Sequence, residues 1–107
     1  MNSKSNMESV NKVIWTEAAK FTFEEILEFL KFKWGQKQID DFYFLADKTI
    51  NRIQENPLQF PIYPDSKNIR RALVHQNVSL FFKIIQENNE IYLMFFFDNR
   101  KRPMQFL

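Results

Sequence analysis

The pattern of apolar and polar positions divides the chain into two helical stretches followed by three strands. From about Glu17 to Trp34, Ala19, Phe23, Ile26, Leu27, Leu30 and Trp34 recur at steps of three and four, with Lys20, Glu24, Glu28 and Lys31 opposite. A second stretch, about Gln36 to Glu55, carries the stripe Ile39, Phe42, Tyr43, Ala46, Ile50 and Ile53. Gly35, the single glycine, stands where the first helix must stop, and a left-handed C′ residue is its expected use. So short a connection predicts an antiparallel helical hairpin. Ahead of it, Lys12-Val13-Ile14-Trp15 reads as a short edge strand, and Thr16 as the N-cap of the helix that follows. Residues 1–11 are polar and aperiodic and read as a flexible tail, leaving 12–107 as a single domain.

Asn56-Pro57 ends the second helix. Pro57, Pro61 and Pro64 then stiffen a connector tacked down by Phe60, Ile62 and Tyr63. The strands Ile69–Val74, Val78–Ile85 and Ile91–Phe97 follow on two tight turns and predict an antiparallel meander. The fold class is therefore α+β: a short N-terminal strand and a helical hairpin packed on a C-terminal β-meander. An antiparallel sheet with one wet face alternates apolar and polar residues, and the last strand does not. One hairpin covers one face, so a partner chain is expected over part of the other face or of the strand edge. Phe21, Phe32 and Phe44 project away from the core stripes and are the candidate contacts for such a partner.

Composition narrows the chemistry. The chain has 107 residues, 13 of them Phe, and no Cys, so disulfides, thiol nucleophiles and thiolate metal sites are ruled out. No apolar run is long enough to span a bilayer, and residues 1–12 lack the apolar centre of a secretory signal, so a cytoplasmic protein is expected. No phosphate-binding glycine loop or metal-ligand spacing is present, and no cofactor or metal is expected. Net charge is +2, unevenly placed: residues 1–56 hold 8 Lys/Arg against 9 Asp/Glu, residues 57–107 hold 7 against 4. The basic half is the sheet half, and Arg70, Arg71, Lys83, Arg100, Lys101 and Arg102 are the candidate target-binding cations. Arg70 and Arg71 are adjacent in a strand and point to opposite faces. One is a candidate for a structural bridge to Asp98, the other for target contact.

Several segments in this order resemble ParE toxins of the RelE/ParE toxin–antitoxin superfamily, often labelled plasmid stabilisation proteins. They are V-I-W-T followed by Ala19, I-L-E-F-L closing on Trp34-Gly35, the N-P-x-x-F-P segment from Asn56 to Pro61, I-R-R at Ile69–Arg71, F-F-K-I, and the closing D-N-R-K-R-P. The likeness spans about residues 12–103. It implies a small α+β toxin neutralised by a cognate antitoxin, as a heterotetramer or with a toxin homodimer. Members that look like ParE are associated with inhibition of DNA gyrase, and RelE-like members with cleavage of mRNA on the ribosome. RelE-like nucleases place a Tyr, or a His-Tyr pair, close to the C-terminus, where this chain has Met104-Gln105-Phe106-Leu107. Metal-free RNA cleavage needs a base as well as cations. His75, the single histidine, lies in a turn, and Tyr92 lies mid-strand. A non-catalytic inhibitor is therefore the first expectation and a ribosome-dependent ribonuclease the alternative.

Overall fold

The structure, a computed structural model, describes residues 11–100. The elements in chain order are β1 (Lys12–Trp15), α1 (Glu17–Lys33), α2 (Gln36–Glu55), a 3-10 turn (Pro57–Gln59), β2 (Ile69–His75), β3 (Val78–Ile85), a second 3-10 turn (Gln86–Asn88) and β4 (Glu90–Asp98). The three C-terminal strands form the expected antiparallel meander. β1 adds to its outer side, parallel to β4, so the sheet is mixed with order β1-β4-β3-β2.

Thr16 joins the first strand to the first helix chemically as well as in sequence. Its Oγ1 accepts the N–H of Ala19 at 3.0 Å as the N-cap and donates to the carbonyls of Leu93 at 2.7 Å and Met94 at 3.0 Å. Six residues on, the Thr22 hydroxyl accepts the N–H of Phe96 at 2.8 Å, where β4 has run past the end of β1. The helix thus satisfies an edge group that no strand covers. Both helices pack on the face that carries Ala72, Leu80, Phe82, Leu93 and Phe96. Trp15, Phe23, Phe42 and Phe96 form a chain of rings 5.1–6.4 Å apart between the layers.

Gly35 departs from its expected conformation. Its φ of 125° and ψ of −168° lie outside the left-handed helical region, in territory open essentially to glycine alone. A Cβ there would meet nothing within 4 Å, so any cost of a side chain is backbone strain. Gly35→Ala is expected to lower stability by about 1–3 kcal/mol, read from denaturant unfolding midpoints. An unchanged midpoint would mean that the hairpin re-forms with another turn. Trp34 also departs from expectation: α1 ends at Lys33, and Trp34 turns off the helical track at φ −122° and ψ −55°, leaving it 62% exposed.

The connector after α2 is neither helix nor central strand, but its backbone lies along the outer edge of β2. Arg71 N–H donates to the Pro61 carbonyl at 3.1 Å and Tyr63 N–H to the Ile69 carbonyl at 2.7 Å, around an isolated Ile62–Arg70 bridge. Phe60 and Tyr63 anchor it, whereas the Ile62 side chain is exposed.

The unbroken apolar run of β4 has a local cause. Its register with β3 slips between Phe81–Phe95 and Phe82–Leu93, so Met94 is an extra residue in the ladder. The bulge lets Leu93 and Phe96, three residues apart, both face the helices. Phe81 and Phe95 are left on the other face. That face is not the bare surface expected for a partner chain, because Phe81 is only 2% exposed, against Phe95 at 4.9 Å and Tyr63 at 5.2 Å. No helix among the described residues is long and apolar enough to cross a membrane.

Candidate functional site

The six candidate cations do not form one cluster. Arg70, opposite Phe82, lies on the helix side of the sheet, and its Nη1 donates to the Phe60 carbonyl at 2.6 Å. It holds the connector in place and is a structural residue. Arg71 points to the opposite face, as adjacent strand residues must. Its Nε donates to Ser79 Oγ at 2.7 Å, and that hydroxyl donates onward to Asn99 Oδ1 at 3.0 Å. Ser79 is fully buried, so this relay fixes the guanidinium and leaves its terminal nitrogens for other acceptors.

Lys83 lies on the same face, in register with Ile69 on one side and Tyr92 on the other. The Tyr92 hydroxyl is 3.1 Å from Glu90 Oε1. That hydrogen bond, helped by the carboxylate charge, raises the Tyr92 pKa above its ordinary value and keeps the phenol protonated at neutral pH. Arg71 and Lys83 thus share one face of the sheet, an arrangement able to hold an anionic surface.

Arg100 stands elsewhere, at the end of β4. Asp98 accepts from its backbone N–H at 2.9 Å, from Nε at 3.0 Å and from Nη2 at 2.8 Å, a two-pronged pair that raises the Arg100 pKa. The guanidinium also sits 5.6 Å from the Phe29 ring centre. The carboxylate of Asp98 is thus bridged to Arg100, not to Arg70 or Arg71. Lys101 and Arg102 lie outside the described residues.

The candidate partner contacts are exposed: Phe21 by 64%, Phe32 by 87% and Phe44 by 64%. Phe21 and Phe32 are eleven residues apart on α1, about 20° around the helix and about 16 Å along it, so they share one side. Phe44 lies on α2, about 200° around from the buried Phe42, with the Lys48 ammonium 5.8 Å from its ring.

One feature escaped the sequence reading. A cleft of about 790 Å³ opens between α1, the start of α2, the β2–β3 turn and the end of β4, lined among others by Phe29, Leu30, Trp34, Phe42, His75 and Arg100. Trp34 continues the core stripe by count, and its place directly before the helix-ending glycine is the signal that could have put it here. His75 Nδ1 accepts the N–H of Asn77 at 3.2 Å and braces the turn beside the cleft. Among the described residues, no three His, Asp or Glu side chains come together as metal ligands would.

No family model and no curated protein matches the sequence. Solved structures do match. A chain from the chromosomal ParDE toxin–antitoxin system of P. aeruginosa superposes with a TM-score of 0.70 at 14% identity, covering 84% of this chain and 97% of that one. The chain has the RelE/ParE fold. A chain from the RelBE2 toxin–antitoxin complex of Mycobacterium tuberculosis matches with a TM-score of 0.59 at 12% identity, over 83% of this chain and 98% of that one. At such low identities the RelE/ParE fold carries over and individual site residues do not.

Proposed function

We propose that this chain is the toxin of a type II toxin–antitoxin pair, ParE-like in action. It stops growth by binding a cellular target, DNA gyrase, and a cognate antitoxin neutralises it. The observation that carries this reading is the fold shared with the ParDE chain over 97% of that chain's length. Binding to an anionic target surface is supported by Arg71 and Lys83 sharing one face of the sheet. Exposed Phe21, Phe32 and Phe44 give an antitoxin the apolar anchors that interfaces use.

A RelE-like ribonuclease is the second reading, favoured by Arg71, Lys83 and Tyr92 sharing one sheet face. Induced expression separates the two. Loss of gyrase supercoiling by the purified protein, with mRNA intact, supports the first reading. Cuts in translated mRNA with supercoiling intact support the second. Unimpaired growth on induction, without antitoxin, sinks both.

Within either reading, Lys83→Gln is expected to weaken growth inhibition while stability stays within about 0.5 kcal/mol, as for other surface changes. The check pairs induced-growth curves with thermal unfolding. Full toxicity in the variant would remove Lys83 from the target-binding set.

A further inference from the structure

The cleft beside α1 follows from how the helical hairpin meets the sheet. α1 climbs along β4: Thr16 bonds to Leu93, Thr22 to Phe96, and Phe29 lies against Arg100. As a strand, β4 ends at Asp98. The last turn of α1 therefore passes beyond the sheet, and Leu30 and Trp34 share a cleft with the β2–β3 turn instead of packing on a strand. Its volume of about 790 Å³ lies within the roughly 300–1,000 Å³ of small-molecule sites. Trp34 is exposed and Phe29 is 39% exposed, so both rings are open to a ligand.

The charges around the cleft are one-sided. Glu25, Asp41 and Asp98 line it against a single cation, Arg100. Asp98 is bonded to Arg100 and Asp41 to Lys37 at 3.1 Å, whereas Glu25 forms no ion pair among the described residues. Glu25 stands four residues before Phe29, so carboxylate and ring are neighbours on one side of the helix. Aromatic rings attract cations to their negative faces, and a carboxylate beside apolar walls attracts them more strongly than one in open water. The chain already displays this chemistry at the same ring. The Arg100 guanidinium lies 5.6 Å from the Phe29 centre, with Asp98 accepting from its Nε and Nη2. Its side chain is 49% exposed, so another cation can compete for the ring.

We propose that this cleft binds a small organic cation, an ammonium or guanidinium carried on an apolar body. The charge sits against Glu25 and the Phe29 ring, and the body lies against Leu30, Trp34 and Phe42. An anionic ligand of the same shape meets carboxylates there and is disfavoured. The site is independent of any toxin activity.

The isotope-labelled full chain can be titrated with biphenylmethyl-trimethylammonium. The amide signals of Phe29 and Phe42 and the indole N–H of Trp34 are expected to shift. The indole of Trp15, the other tryptophan, should stay in place. Biphenylacetate, an anion on the same body, is expected to bind at least about tenfold more weakly. Glu25→Gln should weaken the ammonium about fivefold, and Glu17→Gln, whose carboxylate pairs with Lys20 at the other end of α1, should leave it unchanged. Arg100→Gln removes the competing cation and should tighten the ammonium about threefold. Equal affinity for ammonium and acetate would overturn the proposal, as would an unchanged affinity in Glu25→Gln or a weaker one in Arg100→Gln. Shifts centred on Phe21 or Lys83 would place the cation elsewhere and overturn it too. Cleft signals that move when the ligand-free chain is diluted would assign the cleft to a second copy. Ligand-induced shifts in residues 101–107 would assign it to the chain's own end, and either result overturns the proposal.

Discussion

Replacing Phe82 by alanine is expected to lower stability by about 3–5 kcal/mol, the range for truncating a fully buried phenylalanine. Phe82 is 0% exposed in β3, an interior strand of the sheet, between Arg70 and Leu93 in register. It meets Phe60 edge-on at 5.7 Å, so its loss also loosens the connector that lies along β2. Domains of this size hold together by about 5–15 kcal/mol. The variant therefore falls near the edge of folding, and its denaturant midpoint should drop accordingly. The comparison that makes the result diagnostic is Phe32→Ala, at a residue 87% exposed, where a change within about 0.5 kcal/mol is expected. Equal losses at the two sites would mean that Phe32 is covered in solution and that the layer assignment fails.

The second large effect is on binding. On the proposed toxin reading, changing both Phe21 and Phe32 to Asp is expected to lower the affinity for a cognate antitoxin at least a hundredfold, about 2.7 kcal/mol. Stability should stay within about 0.5 kcal/mol, because neither ring is buried. Titration calorimetry against the antitoxin, paired with thermal unfolding, gives both numbers. An antitoxin that binds the double variant as tightly as the parent would move the interface off this side of α1. The cleft around Phe29 and Trp34 would then be the next place to look.

Much of this architecture could be read from periodicity. The helix limits emerge from steps of three and four and the strand limits from apolar runs bounded by turn residues, and Thr16 is recognisable as a cap by residue type alone. Less visible were the features that depend on one residue's departure from a pattern. Trp34 continues the stripe of α1 by count, yet the helix has ended before it. Met94 is one apolar residue in a run of apolar residues, and nothing local marks it as the bulge that reassigns Leu93 and Phe96 to one face. Among the cations, sequence placed Arg70 and Arg71 on opposite faces but left open which was structural. The Phe60 carbonyl decides that, ten residues back in the chain. Basic character was legible, but its division between two sides of the sheet was not.

The pairing of β1 with β4 bears on how the chain is made. Lys12 is in register with Glu90, and Trp15 with Leu93. Asp98 lies 43 residues beyond Glu55, the last residue of α2. At about 5–20 residues per second, roughly 2–9 s of translation separate those two points. Through that interval both helices have emerged, but the strand that Thr16 and Thr22 bond to does not yet exist. A nascent chain halted before Glu90 lacks the strand that brings Leu93 and Phe96 to the helices, and it is a natural client for chaperones and proteases. The sheet edge and the hydroxyl bonds of Thr16 and Thr22 then come together only once β4 has left the ribosome.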